Sequence, residues 1–393
     1  MKVAVVGAGI GGLCLAQGLA RAGLDVTVYE RDSALDSRAQ GYRLHLHAGS
    51  ALHACLPADL YELCIATAGR PSTVMTVVTK RLRLLRRIPL GLPTDPSSPS
   101  SPSNPADPLD PKTLSTSVNR QTFREVLAAR LDDVIEFGRV CTGFSQSADG
   151  VRVRFADGTE AFADVLVAAD GVGSAIRQQY LPQLRVQETG SICVYGRTPL
   201  TDRTRPLVPA ATWDGFTAVV GRGVGMATGV LEFRQAPPAA ASRLAPDVRL
   251  SPVQPYLMWA LTGTAERFAG PLDGLGPIQL HAAALATMRR WHPDLRRLVE
   301  YAIAEETALV PIRSAVPIER WQPSRVTLLG DAVHAMSPAR GSGANTALRD
   351  AALLASELAA AERGEKELVQ AIGDYEREMT DYGFEAVRAS LRS

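Results

Sequence analysis

The chain has little of what marks secreted, membrane or nucleic-acid-binding proteins. It contains five cysteines in 393 residues, with no CxxC pair and no zinc-binding spacing. This odd, scattered set predicts reduced thiols and a cytoplasmic protein. Its 42 basic and 41 acidic residues give a net charge of +1, so overall charge provides no basis for recruiting nucleic acid or an anionic membrane. The length predicts two domains.

Long hydrophobic runs and hydrolytic motifs are also lacking. The uncharged run at residues 3–20 reaches the lower limit for a membrane span, but it contains five glycines and a glutamine. It therefore predicts neither stable membrane insertion nor a signal peptide. There is no G-x-S-x-G, H-E-x-x-H or G-K-[ST] motif, so hydrolase, metalloprotease and NTPase functions lack support. His45 and His47 have no third metal ligand nearby, and strand alternation explains their spacing, so no metal site is predicted.

The N-terminus contains a dinucleotide-binding pattern. Gly7, Gly9 and Gly12 form G-x-G-x-x-G between a valine-rich strand and a helix. Such glycines permit a tight turn, close approach of a pyrophosphate and close helix–strand packing. Glu30 ends the next strand, where a carboxylate can accept both ribose hydroxyls and repels a 2′-phosphate. FAD and NAD share this adenosine diphosphate, so the motif does not choose between them.

Two further loops follow strands later in the chain. ADVLVAADG places Asp170 and Gly171 after a buried strand, and the preceding VRVRFADGTEAF predicts a hairpin. The third loop, GDAVHAMSPARGSGAN, begins with Gly330 and Asp331 and leads into a long Ala/Leu-rich helix. A second glycine-lined helix start, about three hundred residues after the first, predicts a second contact with an anionic group.

These three motifs, in this order, resemble those of the FAD-dependent class A flavoprotein monooxygenases, the aromatic hydroxylases related to para-hydroxybenzoate hydroxylase. The resemblance covers nearly the whole chain, weakly at 72–117 and 184–275. It implies an α/β fold with a Rossmann-like FAD-binding domain (1–71, 118–183 and 276–393, with C-terminal helices) and an interleaved, smaller substrate domain with a mixed or antiparallel sheet (72–117 and 184–275). The chain departs from the family in having Gly341-Ser342-Gly343 for G-Q-G, and Arg349 at an often acidic position.

The resemblance also implies an extended FAD, with adenosine at the first loop and isoalloxazine at the third. The helix starting near Gly343-Ala344-Asn345 would direct its amides at the flavin edge that becomes anionic on reduction. No catalytic base is predicted, and His334 is expected to pack and hydrogen-bond. The implied cofactor-binding residues are Gly7, Gly9, Gly12, Glu30, Arg31, Arg43, Arg120, Val140, Asp170, Asp331, Pro338, Gly341, Gly343, Ala344 and Asn345.

The implied reaction uses NAD(P)H as a transient co-substrate and O2, through a flavin C4a-hydroperoxide, to hydroxylate an aromatic, polycyclic or other electron-rich small molecule. Baeyer–Villiger or epoxidising chemistry and a non-catalytic flavin-binding protein are the alternatives. The β-rich segments at 191–198 and 216–233 are expected to cover the flavin, and VVGRGVGMATGV is not a second dinucleotide turn. The Pro/Ser-rich segment 93–111 is either a lid or a linker, and the protein a monomer or a dimer.

Overall fold

A five-stranded parallel sheet forms the centre of the first half of the fold. The computed structural model describes residues 1–37, 41–89, 110–338 and 341–392. In spatial order the sheet consists of β17 (Val326–Leu328), β11 (Val165–Ala168), β1 (Lys2–Val6), β2 (Asp25–Tyr29) and β7 (Ile135–Glu136). Its central strands are apolar and almost wholly buried, as expected for a sheet covered on both faces. The predicted Rossmann-like domain is therefore confirmed.

Helices and two small antiparallel sheets surround this parallel sheet. The hairpin predicted in residues 151–163 is confirmed, with Gly158 at a φ of +82° in its turn. The small sheets are β3 (Arg43–Leu46) with β6 (Thr116–Asn119), and β8 (Cys141–Gln146), β9 (Val151–Phe155) and β10 (Glu160–Ala163). The helices are α1 (Ile10–Arg21), α2 (Gly49–Cys55), α3 (Ala58–Ala66), α4 (Arg120–Ala128), α5 (Ala175–Tyr180), α7 (Pro237–Leu244), α10 (Asp331–His334), α11 (Gly343–Glu362) and α12 (Leu368–Ser390).

A seven-stranded sheet forms the second half. In spatial order it contains β16 (Ala308–Ala315), β12 (Val186–Pro199), β15 (Tyr256–Thr264), β14 (Val224–Leu231), β13 (Gly215–Val220), β4 (Val74–Thr79) and β5 (Leu84–Pro89). Neighbouring strands are antiparallel except β4 and β13. One face packs with α6 (Ala210–Trp213), α8 (Pro277–Thr287) and α9 (Pro293–Glu300) around a separate core that contains Trp259 and Met226. The predicted β-rich segments are confirmed as β12, β13 and β14.

The packing of some segments differs from the expected domain limits. Residues 277–315 were expected in the FAD-binding domain, but α8 and α9 contribute to the core of the seven-stranded sheet and β16 pairs with β12. Conversely, α7 contributes Ala240 and Ala241 to the core of the first half. Apolar periodicity shows that a helix is covered but does not show which sheet covers it. Most of the Pro/Ser-rich segment, residues 93–109, lies outside the described residues.

The C-terminal helix α12 packs against the edge of the parallel sheet through polar contacts. Tyr375 donates its hydroxyl hydrogen to the Leu328 carbonyl oxygen at 2.8 Å, and Thr327 Oγ1 donates to Glu376 Oε1 at 2.8 Å. The other Glu376 oxygen is buried without a partner among the described residues. Burial raises the pKa of Glu376 from 4.5 to about 7.

Within the described residues, no helix is both long and apolar enough to cross a bilayer.

Glu376 is expected to make stability depend on pH. Its folded pKa lies above its unfolded pKa, so the folded chain binds more protons between these values and the unfolding free energy falls as pH rises from about 4.5 to about 7. Across this pH range the unfolding free energy is expected to fall by about 3 kcal/mol. We expect Glu376→Gln to flatten this dependence in urea unfolding measured across that range. Glu385→Gln, an exposed glutamate further along α12, is the control; equal slopes in the parent and Glu376→Gln would contradict the assignment.

Candidate functional site

Three glycines shape the loop between β1 and α1. Gly7 has a φ of +111°, and a Cβ atom there would overlap the Ala169 carbonyl oxygen. A Cβ atom on Gly12 would overlap the Gly7 carbonyl oxygen. Gly9 caps α1 in an extended conformation, and a Cβ atom there would meet nothing within 4 Å. Gly7 and Gly12 are therefore needed for packing within the chain, whereas Gly9 borders open space beside the first amides of the helix.

The Glu30 carboxylate fixes this loop from the end of β2. Its Oε2 accepts a hydrogen bond from the Ala8 amide at 2.7 Å, and its Oε1 accepts one from the Asp32 amide at 3.0 Å. The Arg124 guanidinium donates to the Ala8 carbonyl at 2.8 Å and lies 3.6 Å from Glu30 Oε2. Arg124 was not among the predicted site residues. The signal was present, since it is the second arginine of the R-x-x-F-R pattern that begins with Arg120.

The residues around Glu30 lie at the edge of the same loop. Arg139 donates its amide hydrogen to the Glu30 carbonyl at 2.8 Å, which places Val140 beside the end of β2. The Val140 carbonyl accepts from the Ala156 amide at 2.9 Å, and its side chain is 45% exposed. Arg31 is exposed next to Glu30. Contact of Val140 and Arg31 with an adenosine stays a prediction.

The second loop lies directly beneath the first. The Ala169–Asp170 backbone packs against Gly7, and Asp170 Oδ2 accepts from the Ala175 amide at 3.0 Å. Asp170 Oδ1 is buried without a partner among the described residues, and burial raises the pKa of the carboxyl group. The Arg177 guanidinium donates to the Ala332 carbonyl at 3.2 Å. This bond joins the second loop to the third.

The third loop turns at two glycines with left-handed backbones. Gly330 precedes Asp331 with a φ of +63°, and Gly341 has a φ of +62° and donates its amide hydrogen to the Pro338 carbonyl at 2.9 Å. The Asp331 side chain is exposed at the start of α10. A Cβ atom on Gly343 would lie 3.8 Å from Asp331 Oδ1, so this carboxylate adjoins the start of α11.

The first turn of α11 presents free backbone amides. Thr346 donates its amide hydrogen to the Ser342 carbonyl at 2.9 Å, which is the first hydrogen bond within the helix. The amides of Gly343, Ala344 and Asn345 precede it and have no partner inside α11. They form the positive end of a 20-residue helix. An anionic group beside this turn would be stabilised.

The Asn345 side chain has a structural role that the sequence pattern did not predict. Its Nδ2 donates to the His45 carbonyl at 2.9 Å and to the Gly341 carbonyl at 3.1 Å. Its Oδ1 accepts from the amides of His47 at 2.8 Å and Ala48 at 3.0 Å. Asn345 thus joins the end of β3 to the third loop. Its backbone amide, rather than its side chain, is the group placed to bind a cofactor.

A buried polar network supports the third loop from below. His334 Nε2 and Asp350 Oδ2 lie 2.7 Å apart, and both side chains are fully buried. Asp350 also accepts from the Gly330 amide at 2.8 Å and from the Tyr382 hydroxyl at 2.6 Å. Burial alone lowers the pKa of His334, but the charge and hydrogen bond of Asp350 raise it by more, so its pKa lies above the usual 6.5. The expectation that His334 packs and hydrogen-bonds agrees with this geometry.

Arg120 and Arg43 face different parts of the molecule. The Arg120 guanidinium lies 5.5 Å from the centre of the Tyr42 ring, and its buried Nη1 finds no partner in the described chain. The Tyr42 ring in turn packs edge-to-face on Tyr195 of β12 at 5.5 Å. Arg43, which follows Tyr42 in the chain, donates to the Val230 carbonyl at 3.2 Å and to Ser72 Oγ at 3.1 Å. Burial lowers the pKa of Arg43 to about 10. Arg43 therefore lies against the seven-stranded sheet, and its contact with a cofactor stays a prediction.

The donors and open spaces of these loops fit an extended FAD. The parallel sheet places β17, β11 and β1 side by side, so their carboxyl ends bring the three loops together, as in other open α/β sheets. Gly9 leaves room beside the free amides of α1 for a diphosphate, and those of α11 suit a flavin edge. The buried Arg120 Nη1 and Asp170 Oδ1 have hydrogen-bonding capacity left. Across the described ranges, no group of three or more His, Cys, Asp or Glu residues could hold a metal ion.

Comparisons with known proteins agree with this geometry. The NAD(P)-binding Rossmann-like domain model matches residues 5–57 and the FAD binding domain model matches residues 295–390. A dual O-methyltransferase/FAD-dependent monooxygenase of Cercospora beticola is 34% identical over 406 residues, covering 96% of this chain. The chain spans only 44% of that relative's length.

Two further proteins match over most of their length. A 3-amino-4-hydroxybenzoate 2-monooxygenase of Streptomyces platensis is 28% identical, covering 92% of this chain and 80% of the relative. The crystal structure of a protein assigned as an FAD-containing monooxygenase from Photorhabdus luminescens superposes with a TM-score of 0.81 at 31% identity. It covers 100% of this chain and 97% of the other.

Proposed function

Because the chain belongs to the FAD-dependent monooxygenases, we propose that it uses NAD(P)H and O2 to hydroxylate an aromatic or polycyclic small molecule. The observation that carries the proposal is the meeting of three glycine-containing loops at the carboxyl ends of adjacent parallel strands, with helix amides free at both α1 and α11. One extended cofactor satisfies both helix starts. The Streptomyces relative, whose name specifies an aminohydroxybenzoate, supports an aromatic substrate.

The proposal gives distinct tasks to residues of the chain. When bound, FAD supplies the redox chemistry, accepting electrons from the nicotinamide and activating O2. Glu30 holds the first loop and would lie beside the ribose of FAD, the α1 amides would hold the diphosphate, and Arg120 and Asp331 would hold the middle portion of the cofactor. The α11 amides stabilise negative charge on the reduced flavin. The chain's remaining task is to position the substrate and exclude water.

The substrate side is the face of the seven-stranded sheet opposite α6, α8 and α9. Tyr195 of this face packs on Tyr42, and Gly229 of this face packs against Arg43, so the face looks toward the cofactor loops. Strand alternation and register place small or apolar residues next to one another there. They are Phe216, Ala218, Gly225, Ala227, Gly229, Met258 and Ala260. Small and apolar side chains in a row across three strands leave a flat, apolar surface, which favours a planar, ring-containing substrate.

The test is oxygen transfer from isotopically labelled O2. We expect the FAD-loaded chain, given NAD(P)H and a panel of phenols, quinolones, indoles and polyketides, to place one labelled oxygen atom in at least one product, detected by mass spectrometry. Ala227→Phe, which fills the centre of the flat surface, is expected to lower turnover of that substrate about tenfold or more while retaining FAD. Ala282→Phe, on the exposed side of α8, is the control. Conversion of all consumed NAD(P)H to hydrogen peroxide, with every substrate, would contradict the proposal.

A further inference from the structure

A cationic groove lies at the end of the seven-stranded sheet that is remote from the three cofactor loops. It has a volume of about 500 Å³ and is lined by five basic side chains, one lysine and four arginines, together with Trp291 and Phe268. The basic residues are Lys80, Arg222, Arg267, Arg289 and Arg290. They come from the turn after β4, the β13–β14 turn, the segment after β15 and the segment after α8. Four stretches distant in sequence thus bring positive charge to one concave surface.

The backbone around the groove is held in place by hydrogen bonds. The Lys80 amide donates to the Val220 carbonyl at 3.0 Å, and the Lys80 carbonyl accepts from the His292 amide at 2.8 Å. On the other side, the Ala269 amide donates to Thr287 Oγ1 at 3.0 Å. These bonds tie β4, β13 and the segments flanking α8 into one frame. The fold therefore sets the backbone positions of Lys80 and of the segments that carry the arginines.

Two glycines of the β13–β14 turn make room for side chains that line the groove. Gly223 has a φ of +84°, and a Cβ atom there would lie 2.8 Å from Arg267 Cδ. A Cβ atom on Gly221 would lie 3.0 Å from Trp291 Cζ2. The Arg267 stem and the Trp291 ring thus pack closely on the turn. Because this packing already restricts the two side chains, they lose less conformational entropy when a ligand binds.

Little negative charge offsets the groove in the described part of the chain, where exposed Glu266 interacts with Arg267 from outside it. No described carboxylate lines it, and none of its five basic side chains forms an ion pair with a described residue. The chain as a whole is nearly neutral, with 42 basic and 41 acidic residues, so composition does not account for this concentration. Like charges brought together without partners disfavour the folded state. A bound polyanion would remove that cost.

We propose that this groove binds a soluble ligand with clustered phosphate groups, of about the size of a nucleotide. Guanidinium groups match phosphate oxygens with paired hydrogen bonds, and four of the five cations are arginines. The volume falls within the range of small-molecule sites and is concave, unlike a surface that lies on a membrane. A multiply phosphorylated lipid headgroup has the same chemistry and is the second source of such groups.

This site is separate from the cofactor loops. Val224, at the start of β14, borders the groove, whereas Val230, near the end of the same strand, accepts the hydrogen bond from Arg43, whose neighbour Tyr42 packs on Arg120. Six residues of extended strand separate them by roughly 20 Å. The groove goes beyond the proposed monooxygenase function, and failure of either proposal leaves the other standing.

The test is titration of the FAD-loaded chain with inorganic tripolyphosphate, with binding measured by isothermal titration calorimetry. We expect salt-sensitive binding that is weakened about tenfold or more in Arg289→Gln/Arg290→Gln, because two charge-assisted contacts are lost. The matched control is Arg296→Gln/Arg297→Gln, an adjacent pair of exposed arginines on α9 outside the groove. It removes the same charge and is expected to leave the affinity within about twofold of the parent.

Phosphatidylcholine vesicles with and without phosphatidylinositol bisphosphate distinguish the two sources. No binding to either vesicle supports a soluble ligand; binding only to the bisphosphate vesicles, abolished by Arg289→Gln/Arg290→Gln, makes the lipid headgroup the source. The proposal is overturned if tripolyphosphate does not bind, if both double variants weaken it equally, or if a polyglutamate peptide binds more tightly. The last result would identify an acidic protein surface as the partner.

Discussion

Gly9→Ala is expected to weaken FAD binding about a hundredfold while leaving the fold intact. Gly9 has φ −77° and ψ −178°, which alanine adopts without strain, and its added Cβ would meet no atom of the chain within 4 Å. The methyl group would instead occupy the space through which a diphosphate reaches the α1 amides. Loss of two hydrogen bonds to a charged group corresponds to about 3 kcal/mol or more, on the order of a hundredfold in affinity. FAD titration followed by flavin fluorescence, with thermal unfolding of the FAD-free chain, measures both effects.

Two other glycines provide the controls for this substitution. Gly276 caps α8 with nearly the same backbone, φ −76° and ψ 169°, so Gly276→Ala is expected to change neither FAD binding nor stability. Gly12→Ala places a methyl group on the Gly7 carbonyl and is expected to destabilise the chain itself. If Gly9→Ala bound FAD as the parent does, the first loop would not be the diphosphate site.

Asp350→Asn is expected to cause the largest loss of stability among conservative changes near the third loop. The substitution keeps the shape of the side chain but removes its negative charge. The carboxylate contacts His334 and accepts hydrogen bonds from the Gly330 amide and the Tyr382 hydroxyl. Below the raised pKa of His334 the pair is charged, and removing one charge of a fully buried ion pair costs about 3–5 kcal/mol. The Gly330 turn that presents Asp331 should loosen, so FAD affinity should fall as well. Urea unfolding with and without FAD measures both changes.

The control for Asp350 is an aspartate in an exposed ion pair. Asp381 is 68% exposed and lies 2.6 Å from Arg320, so Asp381→Asn is expected to change the unfolding free energy by less than about 1 kcal/mol. Equal effects of the two substitutions would show that the buried network does not support the third loop.

Local sequence patterns predicted the parts of the site that depend on the backbone. The glycines at 7, 9 and 12, the turn at Gly171 and the start of α11 each follow from a strand–loop–helix pattern within a short stretch. The pattern assigned the approach of a pyrophosphate to Gly9 and helix–strand packing to Gly12, and in the structure Gly9 borders open space whereas Gly7 and Gly12 pack on the chain. That distinction depends on contacts with Ala169 and within the folded turn.

The parts that were not predicted depend on contacts between distant residues. Arg124 reaches Ala8 across 116 positions, Asn345 reaches His45 across 300, and Tyr382 meets Asp350 across 32. No local pattern specifies such partners, because register and packing decide them. The same limit applies to α8, which was expected in the FAD-binding domain but packs on the seven-stranded sheet.

The most direct test of the central claim is the visible spectrum of the purified protein before and after anaerobic addition of NADPH, repeated with NADH and with substrate present. We expect flavin absorption bands that bleach when a reduced nicotinamide is added, because the three loops hold a reducible FAD. A colourless protein that takes up no added FAD would contradict it.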